Sequence, residues 1–75
     1  MKCSPKDVGS IVRRTRKALG VTQQALALTS GTGSRFISDL ERGKKTCELG
    51  KVLTVLQTLG IKVTLAAPST PKQET

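Results

Sequence analysis

The stretch from Thr22 to Lys45, TQQALALTSGTGSRFISDLERGKK, constrains this chain more than any other. It reads as two short helices joined by a tight turn. Thr22 is a capping-type residue, and Gln23 and Gln24 follow it. Ala25, Leu26 and Ala27 put small and apolar side chains on one helical face. Ser30-Gly31-Thr32-Gly33 then breaks the pattern, and Phe36, Ile37 and Leu40 resume it at helical spacing. Two helices that cross closely need a small residue where they touch and a glycine where the chain turns. Ala27 and Gly31 meet those needs. The second helix is predicted to begin near Gly33 or Ser34 and to end near Arg42, with Gly43 just past it.

The two faces of that second helix differ in chemistry. Ile37 and Leu40 are expected in the core, with Phe36 at its flank, and Ser34, Arg35, Ser38 and Asp39 share the outer face. Short polar side chains beside one arginine suit a surface that lies against base edges, because arginine grips guanine with two bonds and serine donates or accepts. Arg42, Lys44 and Lys45 follow directly, placed to meet phosphates beside the groove. Alone, Lys44 and Lys45 would read as a solvated loop. Gln23 and Gln24 begin a helix whose free N–H groups favour an anion such as a phosphate, although a solvated turn explains them equally well.

Charge supports a polyanionic partner. Thirteen Lys plus Arg stand against five Asp plus Glu, a net charge of +8 in 75 residues. Nucleic acid comes first and an anionic membrane surface second. No apolar run approaches the roughly 18 residues needed to cross a bilayer. The chain has no histidine and no clustered carboxylates, so neither an enzyme site nor a metal site is expected, and no cofactor. Cys3 and Cys47 are the only cysteines. The opening MKCSPKD lacks the apolar core of a secretory signal, so the thiols are expected to be reduced and the chain cytoplasmic, with a Cys3–Cys47 link the minor alternative.

Before the central unit, Ser4-Pro5-Lys6-Asp7 carries the signals of a helix start: a cap, a proline at the first position and an acid to close a capping box. Val8, Ile11, Val12, Thr15 and Leu19 make one apolar stripe to a stop at Gly20. Arg13, Arg14, Arg16 and Lys17 read as a solvated basic face, except that Arg16 lies one position off the stripe and is placed to reach an acid on a later helix.

After the unit, Thr46 is positioned to cap a helix from Cys47 to Leu59. Leu49, Val52, Leu53, Leu56 and Leu59 form its stripe, and Val55 widens this beyond what one small domain needs. Ile61–Ala66 alternates apolar and polar residues like a strand. A lone strand is unstable, so it is expected either to pair with its copy in a second chain or to be a frayed extension. Dimer contacts then fall on Leu56, Leu59, Ile61, Val63 and Leu65. The domain is thus 1–60, the dimerisation strand 61–66 and a disordered tail 67–75, rich in Pro, Ser and Thr.

Thr22-Gln23, Ala27, Gly31 and Ile37-Ser38-Asp39-Leu40-Glu41-Arg42-Gly43-Lys44 together resemble the helix-turn-helix of the phage repressor, Cro and xenobiotic-response-element family, over about Val8 to Leu59. The resemblance implies an all-α, lambda-repressor-like bundle of roughly four to five helices. It implies base contacts at Ser34, Arg35, Ser38 and Asp39, phosphate contacts at Gln23, Arg42 and Lys44, and a buried ion pair between Arg16 and Glu41. Gly33 departs from the Ser or Thr that many relatives use to cap the second helix. The fourth helix and the segment Val55–Leu65 add a resemblance to HipB-type antitoxins. That implies a homodimer on a palindromic DNA operator, autorepression of a toxin–antitoxin operon, and a HipA-like Ser/Thr kinase or its companion subunit as partner. The other readings are a stand-alone regulator and a module that mainly binds and neutralises a toxin.

Overall fold

The computed structural model describes residues 3–68, and they form four helices. Local chemistry accounts for the first two starts. In α1 (Pro5–Ala18) the Ser4 N–H donates to Asp7 Oδ2 at 3.0 Å, and the Asp7 N–H donates to Ser4 Oγ at 3.2 Å, a closed capping box. In α2 (Gln23–Ser30) Thr22 Oγ1 accepts from the Ala25 N–H at 3.0 Å. Gly31 ends α2 in the left-handed region at φ 72°, a conformation that costs glycine little. Then α3 (Ser34–Glu41) begins at Gly33 with no side-chain cap. The last helix is α4 (Leu49–Thr58).

The core is aliphatic: Val12, Leu26, Ala27, Ile37, Leu40, Val55, Leu56 and Leu59. Val12, Leu26, Ile37 and Val55 are the largest fully buried side chains. Each contributes about 1.5–3 kcal/mol by leaving water. Against α3 pack α2 and α1, and α4 closes over α2. Phe36 flanks the core, with Lys51 Nζ 5.9 Å from its ring centroid.

Three faces differ from the sequence expectation. On α1 the buried line is Gly9, Val12 and Arg16, while Ile11 and Leu19 are exposed. The cause is contact: a Cβ on Gly9 would sit 2.3 Å from the Leu40 carbonyl oxygen and 2.8 Å from that of Glu41, so this glycine lets α1 rest on the end of α3. Ala25, expected on the inner face of α2, is also exposed. On α4, Val55 is wholly buried whereas Leu49 and Leu53 are 68% and 43% exposed. Val55 is therefore core, not surplus.

The start of α4 also moves. The chain is still turning at Lys45 and Thr46, and Glu48 is the cap, without a side-chain bond. Thr46 is not a cap and the half-buried Cys47 precedes the helix; returning from α3 takes more residues than the pattern reveals. Beyond Gly60 the chain turns back through an Ile61 N–H bond to the Leu56 carbonyl at 2.9 Å. The strand expected at Ile61–Ala66 is absent from the single chain, and the described residues contain no strand. Strand bonds need a second edge. Residues 67 and 68 have no regular structure; the rest of the expected tail, 69–75, lies outside the described residues. No helix among the described residues is long and apolar enough to cross a membrane.

Candidate nucleic-acid interface

The geometry of α3 is fixed from beneath. Ile37 and Leu40 are locked in the core, which turns Ser34 and Arg35 fully outward and leaves Ser38 and Asp39 partly buried beside them. These are the four residues assigned to base reading, and they do share one outer face. The Arg35 side chain stands 88% exposed.

The end of α3 is held by an ion pair. Arg16 Nε donates to Glu41 Oε2 at 2.6 Å and Nη2 to Oε1 at 3.1 Å, a two-pronged grip with both side chains nearly buried. Arg16 Nη1 also donates to the Val21 carbonyl at 2.8 Å, tying in the α1–α2 loop. Burial pushes the Glu41 carboxyl up, but the bonds from Arg16 and Gln23 outweigh it and hold the group below its ordinary value. The same pairing raises the Arg16 guanidinium.

Gln23, assigned to phosphate, donates its side-chain amide to Glu41 Oε1 at 3.0 Å. It thereby joins the base of α2 to the end of α3. With Arg13, Ser38, Glu41 and Arg42 it lines an open cleft of about 360 Å³. Arg13 escaped the sequence reading as a site residue. The available signal was its position, three residues before Arg16 on the same helix.

Arg42 and Lys44, also assigned to phosphate, gather around Asp39. Arg42 Nη2 lies 2.7 Å from Asp39 Oδ1, and Lys44 Nζ lies 3.5 Å from Oδ2. Arg35 Nε is 3.8 Å from Oδ2. The bond from Arg42, aided by Lys44, holds the Asp39 carboxyl below its ordinary value against some desolvation. Lys45 is exposed on the following turn.

The residues assigned to dimerisation divide. Leu56 and Leu59 belong to the chain's own core, and Ile61 packs against it. Val63 and Leu65 remain exposed. They border an open groove of about 640 Å³ between α1 and the C-terminal segment, whose α1 side includes the exposed Ile11.

A buried arginine–glutamate brace, a left-handed glycine between two short helices and an outward polar face on the second now stand together. Residues 12–65 match the family described as helix-turn-helix. The chain belongs to the helix-turn-helix family. A relative from Sinorhizobium fredii (strain NBRC 101917 / NGR234), the uncharacterized helix-turn-helix-type transcriptional regulator y4mF, is 51% identical over 65 residues, covering 87% of this chain and 86% of that protein. Among solved structures, HipB in a HipA-HipB-O2-O3 complex matches with a TM-score of 0.79 and 26% identity, covering 92% of this chain and 97% of that one. The restriction-modification controller protein C.AhdI from Aeromonas hydrophila matches with a TM-score of 0.68 and 29% identity, over 77% and 84% of the respective chains. The phage-repressor and HipB resemblance read from the sequence thus holds for this helix-turn-helix protein.

Proposed function

We propose that this helix-turn-helix protein is a cytoplasmic, homodimeric, sequence-specific DNA-binding repressor, and that it is the antitoxin that autoregulates an operon encoding a HipA-like kinase toxin. The outward face of α3 carries the reading: Ser34, Arg35 and Ser38 stand clear of the core on a helix fixed by the Arg16–Glu41 pair. Ser34, Arg35 and Ser38 choose bases, with Asp39 beside them, and Arg13, Arg42, Lys44 and Lys45 supply phosphate contacts around the face. Gln23 acts on phosphate through its place at the start of α2.

The second copy docks through residues 61–66, with Val63 and Leu65 pairing across the two-fold axis beside the apolar groove on α1. The likeness to HipB over nearly the whole chain supports the antitoxin role. The likeness to a restriction-modification controller supports a stand-alone regulator as the second reading. A kinase gene in the same operon, and recovery of that kinase with this chain in a DNA-free complex, select the first; a lone gene selects the second.

The reading of α3 is tested by substitution. Arg35→Ala is expected to lower the ratio of operator to random-DNA affinity by about tenfold or more, the worth of one two-pronged base contact. Lys44→Ala is expected to weaken both DNAs alike and to flatten the salt dependence by about one ion. An unchanged ratio in Arg35→Ala would remove α3 from the reading role.

A further inference from the structure

Among the described residues Asp39 is the one acid on a face otherwise built of cations and hydroxyls; Asp7 is spent in the α1 cap, Glu41 in the buried pair, and Glu48 lies beside Lys51 at the start of α4. Its placement is specific. Oδ1 takes Arg42 at 2.7 Å, while Oδ2 faces Lys44 at 3.5 Å and Arg35 at 3.8 Å. Backbone bonds hold the arrangement, since the N–H groups of Arg42 and Lys44 both reach the Asp39 carbonyl, at 3.2 and 3.0 Å. The carboxylate is only 13% exposed, whereas the Arg35, Arg42 and Lys44 side chains are 88%, 69% and 53% exposed. The acid therefore lies beneath cations that are free to swing away from it.

We infer that Asp39 competes with the DNA phosphates for its neighbouring cations: its carboxylate holds Arg35, Arg42 and Lys44 in the free protein and thereby sets the ratio of specific to non-specific DNA binding. This rests on the DNA-reading role of α3. Two carboxylate oxygens grouping three cations imitate the two free oxygens of a phosphodiester. On random DNA, each cation that turns to a phosphate leaves the carboxylate, which is then close to backbone anions with no donor to meet it. On a matched site the carboxylate accepts from a cytosine amino group in the major groove, and the loss is recovered. Asp39 thus raises specificity chiefly by penalising wrong sequences.

The test compares wild type, Asp39→Asn, Asp39→Ser and Asp39→Glu on the duplex best enriched from a random pool and on a random duplex of equal length, over about 50–200 mM salt. Thermal unfolding reports the fold of each variant. In Asp39→Asn, affinity for random DNA is expected to rise about fivefold or more, with the salt slope steeper by about one ion. Affinity for the enriched duplex is expected to rise by less than this or to fall, because the cytosine contact is lost together with the penalty, so the ratio falls. Asp39→Ser must follow Asp39→Asn, and Asp39→Glu must keep the ratio near that of wild type. A wild type that prefers one duplex, together with Asn and Ser variants of unchanged ratio, overturns the role of Asp39 while leaving α3 as the reader. A wild type with no preference for any duplex removes the DNA reading, and this inference with it.

Discussion

At the scale of single residues, Glu41 decides most. It receives two bonds from Arg16 and one from Gln23, so three helices meet at one carboxylate. Glu41→Ala leaves the Arg16 guanidinium nearly buried without its partner and is expected to cost about 3–5 kcal/mol in urea unfolding. The pH dependence follows from the lowered carboxyl. Unfolded, Glu41 takes its proton near the ordinary 4.5; folded, it does so lower. Below that ordinary value the unfolded state binds more protons, so the stabilisation is whole at neutral pH and drains as pH falls through the folded value. Urea midpoints for wild type are therefore expected to fall more steeply than those of Glu41→Gln as the pH drops below 4.5. This pair was legible in the sequence through the family resemblance. The bond from Gln23 was not, because a glutamine at a helix start looks the same whether it meets water, phosphate or a carboxylate.

At the scale of elements, the helix starts with side-chain caps were readable and the buried faces less so. Ser4 and Asp7, with Pro5 at the first position, announce α1, and Thr22 announces α2, since these caps make their bonds within four residues. Arg16 was placed inward, but the rest of the α1 face was misread because its inner line runs through Gly9, which carries no apolar signal. Gly9→Ala is expected to cost about 1–3 kcal/mol, because the new methyl meets backbone carbonyls of α3 that cannot turn aside. In α4, apolar residues at 49, 52, 53, 55, 56 and 59 support two overlapping stripes, and only packing against α2 chooses between them. Leu56→Ala is expected to cost about 2–5 kcal/mol and the exposed Leu49→Ala under about 0.5 kcal/mol, as denaturant midpoints would register.

At the scale of the whole molecule, one chain is a brace that presents one helix. Its net charge of +8 favours polyanions of any sequence, and in the proposed function specificity comes from the few side chains on α3 and from duplication. The alternating pattern at Ile61–Ala66 was visible in the sequence, yet the single chain does not make it a strand, because no other strand edge among the described residues is there to pair with it. Two copies joined there would place two reading helices on one side of the duplex, about 34 Å apart, one turn of B-DNA. Selection of binding sites from a random DNA pool tests this directly. The account predicts enrichment of a palindrome whose half-sites are centred about one helical turn, or a multiple of it, apart. Recovery of no preferred sequence, or of a single unrepeated half-site, would contradict it.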